Sequence, residues 1–125
     1  MSKKKVLIVE DHADIRKLLR MTLEFDDFEI HEAPDGATGL ALARKFAPDV
    51  VLMDVMMPGL LSGLDVCRLI KADPCLQHTK VIMLSALGQA QDRLHGQQAG
   101  ADDYLVKPFR TAEVLASIYR LETAA

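Results

Sequence analysis

Three features of the sequence predict an α/β fold with a doubly wound parallel sheet. Short apolar runs recur along the chain: Val6-Leu7-Ile8-Val9, Val50-Val51-Leu52-Met53, Val81-Ile82-Met83-Leu84 and Tyr104-Leu105-Val106. Runs this short, bounded by turn signals and rich in β-branched residues, suit strands buried on both faces. Stretches with helical spacing separate them, so strand and helix alternate, as right-handed crossovers in a parallel sheet require. Each run also ends in a group that can hold a cation or a phosphate: Glu10-Asp11, Asp54, Ser85 and Lys107. The carboxyl edge of the strands is where open α/β sheets bind ligands.

The elements follow in order. The first strand covers roughly Lys5 to Glu10. Ile15, Leu18, Leu19, Thr22 and Leu23 then recur at helical spacing, with Asp14 as the cap and Asp26-Asp27 as the stop. Phe28 to Ala33 alternates apolar and polar, the pattern of an edge strand. Pro34-Asp35-Gly36 is a turn, and Ala37 to Phe46 a helix that stops before Pro48. The third strand ends at Asp54, and a loop holding Pro58, Gly59 and Gly63 leads into a helix through Val66, Leu69 and Ile70, closed by Asp73-Pro74. After the strand ending at Ser85 comes a polar helix around Ala90 to Gln98, short of apolar anchors and therefore loosely held, with Gly100 as its C-terminal cap. The fifth strand ends at Lys107, and Thr111 caps a last helix through Val114, Leu115, Ile118 and Leu121. Five strands in such a fold take the order 2-1-3-4-5. That order puts the alternating strand at an edge and Glu10-Asp11 beside Asp54.

Composition narrows the class. With 125 residues, 50% of them hydrophobic and 26% charged, residues 1–125 form one domain with a substantial core. A net charge of −3 and the lack of a basic stripe argue against direct nucleic-acid binding. Lys3-Lys4-Lys5 is followed by too few apolar residues for an export signal, and nothing approaches the length of a membrane span. Cys67 and Cys75 are too few for a disulfide framework and are read as structural, so a reduced, cytoplasmic setting is the simpler expectation.

Three carboxylates at one point repel one another, and a divalent cation is the simplest remedy. The candidate ligands are hard oxygens with no cysteine or histidine expected nearby, which selects magnesium, with manganese as a substitute. Lys107 adds a fixed positive charge and Ser85 a hydroxyl. Two cations and a donor around one aspartate make a site for a phosphoryl group, and Asp54 carries the nucleophilic oxygen. Asp54, expected to be already ionised, would need no general base. His12 is placed at the mouth of the site, without an essential role.

Along essentially its whole length the chain resembles a stand-alone, chemotaxis-regulator-like receiver domain of the two-component response regulators. Val9-Glu10-Asp11-His12 resembles the acidic metal-binding pair, Asp54 with Met57-Pro58-Gly59 the phosphoacceptor loop, Ser85-Ala86 the hydroxyl position and Lys107-Pro108-Phe109 the lysine motif. Leu60-Leu61-Ser62 makes the loop after Asp54 longer than the commonest form. The resemblance implies a flavodoxin-like fold and a phosphorylation-controlled switch, not a dedicated enzyme, catalysing only its own phosphoryl transfer and slow self-dephosphorylation. Asp54 would accept the phosphoryl group from a sensor histidine kinase or a histidine phosphotransfer protein. Asp11, Asp54 and the backbone carbonyl of Met56 would hold Mg2+, with Glu10 acting through water. Ser85 would move toward the phosphoryl group and Tyr104, at the aromatic switch position, would turn inward. The face made by the fourth helix, fifth strand and fifth helix would then engage a downstream protein, as a monomer or a phosphorylation-dependent dimer. Met56 and Leu87 would flank the approach to the phosphoryl group.

Two other function classes fit the sequence less well. A phosphatase of the haloacid-dehalogenase type needs a second aspartate two residues after the first, where this chain has Met56. A flavodoxin-like mononucleotide binder needs a phosphate-binding loop after the first strand, where Glu10-Asp11 would repel a phosphate.

Overall fold

The apolar runs pair in parallel. In the computed structural model, which describes residues 3–86 and 90–123, β1 (Lys4–Val9), β2 (Phe28–Ala33), β3 (Val50–Asp54), β4 (Lys80–Ser85) and β5 (Asp103–Val106) form one five-stranded sheet in the order β2-β1-β3-β4-β5. The expected order and the edge position of β2 are both found. Helices α1 (Ala13–Glu24), α2 (Gly36–Phe46), α3 (Gly63–Ala72), α4 (Ala90–Gln98) and α5 (Thr111–Thr123) make the crossovers.

Because side chains alternate along a strand, each central strand feeds two cores. Leu7, Val9, Val51, Met53, Val81 and Met83 face one layer, where they meet Leu40 and Ala43 of α2 and Val66, Cys67 and Ile70 of α3. Val6, Ile8, Val50, Leu52, Ile82 and Leu84 face the other, against Leu19 and Leu23 of α1 and Val114, Ile118 and Leu121 of α5. All five residues of β3 are buried, which is why its sequence reads as an unbroken apolar run.

Several boundaries differ from expectation. Helix α1 starts at Ala13 with His12, not Asp14, at the N-cap, and His12 makes no side-chain capping bond; Asp14 sits in the first turn, where its charge suits the helix dipole. Lys107 lies beyond β5, its backbone N–H donating to the Ser85 carbonyl. Thr111 is the first residue of α5 rather than its cap. Gly100 does take the left-handed conformation that closes α4 (φ 95°). Asp73 caps a short 3-10 turn, Pro74–Leu76, through the backbone N–H of Cys75.

The segment that carries Asp54 into α3 is held at both ends. Ser62 and Asp65 form a capping box, each side chain accepting from the other's backbone N–H at 3.0–3.2 Å. A bond of this kind is worth about 1 kcal/mol. At Gly63 the backbone passes so close to β3 that a Cβ would lie 2.0 Å from the Asp54 carbonyl oxygen. Only glycine fits there without moving the strand end that presents Asp54.

Candidate functional site

Parallel register places the chemistry at one edge. Val9 pairs with Met53 and Asp54 with Leu84, so the residues that follow β1, β3 and β4 emerge side by side. Glu10, Asp11, His12 and Asp54 each offer one ligand atom, all within 4.8 Å of one another. From the β5 side, Lys107 Nζ donates to Glu10 Oε1 at 2.7 Å and lies 3.3 Å from Asp54 Oδ1. Ser85 ends β4, fully buried, and its carbonyl accepts from the Lys107 N–H at 2.6 Å. Met56 donates its backbone N–H to Asp54 Oδ1 at 3.4 Å while its side chain lies exposed. Leu87 lies outside the described residues.

Burial dominates the electrostatics. The side chains of Glu10 and Asp54 are 0% and 4% exposed, yet among the described residues only one ammonium serves both. Desolvation is the largest influence on Asp54, followed by its contacts with Glu10 and Asp11, and together they push its carboxyl up to about 8. Burial opposes ionisation of Glu10 as well, but the hydrogen bonds it shares with Asp54 and Lys107 outweigh it and hold that carboxyl below the usual range. For Lys107, burial is again the largest influence and would lower the ammonium's pKa; the bond to Glu10 and the charge of Asp54 overcome it and raise it. Metal-free, the Asp54–Glu10 pair therefore keeps a proton at neutral pH. In the metal-free site, burial and the neighbouring carboxylates thus oppose ionisation of Asp54, where the sequence reading expects an ionised carboxylate.

The donor set fits a hard divalent cation. Asp54 Oδ2 is buried without a hydrogen-bond partner, and buried Asp11 Oδ1, also without a hydrogen bond, has the His12 imidazole 3.2 Å away, a costly arrangement that a cation would relieve. The residues that would hold it are Asp11 and Asp54, with Glu10 behind them.

Tyr104 stands one layer away. Expected to turn inward on phosphorylation, the ring is already inward, 8% exposed, packed with Met83 and Ala99 in the core under α4. The Arg93 guanidinium lies over it, 5.5 Å from its centroid. Gly96 is the only described α4 residue that is buried, so α4 rests on few apolar contacts, as its polar sequence predicts.

Two contributors escaped the sequence reading. Arg16 Nη1 donates to the Glu10 carbonyl at 2.8 Å and its Nε pairs with Glu32, tying α1 to the strand end that carries the acidic residues. Its place one turn after the acidic pair, on the helix that follows, was the available signal. Gly63 was read as a loop residue, and its close approach to Asp54 becomes visible only in three dimensions.

Comparison with known proteins adds an independent line. The family model of the response regulator receiver domain matches residues 6–119. The chain is 39% identical over 117 residues to the DNA-binding dual master transcriptional regulator RpaA of Synechocystis, covering 94% of this chain and 48% of that protein. It is 43% identical over 117 residues to the transcriptional regulatory protein ResD of Bacillus subtilis, covering 94% and 47%. The chain thus spans about half the length of these curated relatives. Among solved structures, the chemotaxis response regulator CheY4 of Vibrio cholerae superposes with a TM-score of 0.89 at 31% identity, covering 96% of this chain and 99% of that one.

Proposed function

The chain belongs to the response regulator receiver family, whose members act in phosphorylation-dependent signalling, and from that premise we propose that Asp54 is its phosphoacceptor. One observation carries the reading: Asp54 presents one oxygen to Lys107 at 3.3 Å and keeps the other buried without a partner, beside two further carboxylates. A lone structural aspartate has no need of that arrangement.

The donor we propose is a phosphohistidine on a sensor histidine kinase or a histidine phosphotransfer protein. An Asp54 oxygen attacks phosphorus in line, the P–N bond to the donor imidazole breaks, and the electron pair leaves with the imidazole, forming an acyl phosphate on Asp54. Asp11, Asp54 and the Met56 carbonyl would hold Mg2+, or Mn2+ in its place, with Glu10 acting through water, and the ion would supply positive charge that favours the ionised Asp54 and offsets the phosphoryl oxygens. Lys107 exchanges its bond to Glu10 for one to the phosphoryl group. Ser85, at the end of the neighbouring strand, donates its hydroxyl to the same group. The electrostatic load on the Ser85–Lys107 edge then changes by up to two charges, which biases the α4–β5–α5 face. Since Tyr104 is inward beforehand, phosphorylation in this reading stabilises the inward ring rather than creating it.

A dedicated hydrolase is not part of this reading, because Met56 stands where a proton donor would be needed. We propose protein partners rather than nucleic acid or membrane for the domain itself, a cytoplasmic setting, and a monomer that dimerises at most on phosphorylation. None of the described helices is long and apolar enough to cross a membrane. The test is intact mass after incubation with acetyl phosphate: one phosphoryl group is added in the presence of Mg2+, and none without metal or in Asp54→Asn. Modification that persists in Asp54→Asn would reject the assignment.

A further inference from the structure

His12 departs from the all-oxygen character of the site. Its Nδ1 lies 3.2 Å from Asp11 Oδ1 and 3.4 Å from Glu10 Oε2, so one edge of the exposed imidazole faces the two carboxylates. The ring is not spent on the helix it precedes: His12 occupies the N-cap of α1 with extended backbone (φ −82°, ψ 114°) and makes no side-chain capping bond. Its nitrogen is one of four ligand atoms, with those of Glu10, Asp11 and Asp54, that lie within 4.8 Å of one another. An independent observation points to a ligand in their midst: Asp54 Oδ2, on a side chain 4% exposed, has no hydrogen-bond partner.

We propose that His12 Nδ1 is a ligand for borderline transition-metal cations such as Zn2+ in this acidic site, completing a mixed nitrogen–oxygen set with Asp11 and Asp54. This rests on the metal-site reading above and goes beyond it. Mg2+ takes oxygen ligands and keeps much of its water, so it has little use for an imidazole. Zn2+ binds imidazole and carboxylate together and sheds water readily into a four-coordinate site. One residue thereby gives the phosphoacceptor centre two modes: an oxygen mode open to Mg2+ and phosphoryl donors, and a nitrogen-capped mode in which His12 closes the mouth over Asp54. With the mouth closed, Zn2+ competes with phosphorylation rather than supporting it.

The experiment compares wild type with His12→Gln, which keeps a polar side chain of similar reach but removes the imidazole. Zn2+ and Mg2+ are titrated separately, and affinity is read from the backbone amide shifts of Asp11 and Asp54, so that binding at Cys75 or at other histidines does not enter. The imidazole nitrogens are followed by 15N NMR, with His31, His78 and His95 as internal references. The proposal expects the His12 Nδ1 resonance to move with Zn2+ in step with the Asp54 amide. It also expects Zn2+ affinity to fall at least tenfold in His12→Gln, within the range seen when support of a metal ligand is lost, while Mg2+ affinity changes less than twofold. An unmoved His12 resonance at Zn2+ saturation, or equal losses for both ions, overturns it. Failure of Mg2+ to move the Asp11 and Asp54 amides in either chain is a different result, and it strikes the magnesium reading itself.

Discussion

Gly96 of α4 faces the ring of Tyr104 so closely that a Cβ at position 96 would stand 2.8 Å from Tyr104 Cδ2 and 3.2 Å from Cε2. A glycine inside a nine-residue helix costs up to about 1 kcal/mol against alanine. Here it opens the notch that admits the inward aromatic ring. The size of one residue on α4 thus bears on where the side chain of β5 can sit.

Gly96→Ala is therefore expected to push the Tyr104 ring outward or lift α4. Ring-to-side-chain NOEs between Tyr104 and Met83 would weaken, and the 1 kcal/mol helix-propensity gain would not appear in urea unfolding. If the NOEs persist and the chain gains roughly that much stability, the notch is not needed for the inward ring.

Stability without divalent cations should fall as pH rises from weakly acidic to alkaline. The folded chain keeps a proton on the Asp54–Glu10 pair, with Asp54 raised from 3.8 to about 8, whereas the unfolded chain releases it near the ordinary value. Between those limits the folded state binds more protons, so each step up in pH favours unfolding. Glu10, shifted the other way, adds an acid limb in which stability is lost as pH falls below its ordinary value. Asp54→Asn removes the alkaline loss, so at pH 8.5 in EDTA it should exceed wild type by on the order of 2 kcal/mol, with little difference at pH 4. Saturating Mg2+ should narrow the gap. Equal urea midpoints for the two chains at pH 8.5 would show that Asp54 carries no such burden.

The exposed Met56 side chain, two residues after Asp54, can neither orient water nor act as a base. Leu87, two after Ser85, has the same chemistry by sequence. Replacing both with polar residues, Met56→Asn with Leu87→Glu, should speed self-dephosphorylation about tenfold, equal to about 1.4 kcal/mol of barrier. Phosphate release at saturating Mg2+ reports the rate. Unchanged release from a double variant with native circular dichroism removes both side chains from the reaction.

Much of this was legible from residues alone, and the exceptions share a cause. The β3 run ending at Asp54 shows its double burial directly, and the alternation of Phe28 to Ala33 marks an edge. Strand-end groups, once the order was inferred, pointed to one place. Two helix N-caps were misplaced because cap identity turns on a single residue of strand or loop length, as at His12 and Thr111. The charge balance around Asp54 was not legible, because it depends on how many positive groups enter a dry site, and among the described residues Lys107 is the one ammonium that does so. The inward Tyr104 depends on Gly96, in another element, and no local pattern announces that pairing.

The most direct measurement is the location of the phosphoryl group. Borohydride reduces an acyl phosphate to an alcohol, so treatment of the acetyl phosphate-reacted chain converts a phosphorylated aspartate into homoserine at that position. Peptide mass spectrometry should find homoserine at position 54, dependent on Mg2+ and on prior phosphorylation. Homoserine at position 11 or 103, or none anywhere in chains whose mass shows an added phosphoryl group, would contradict Asp54 as the acceptor.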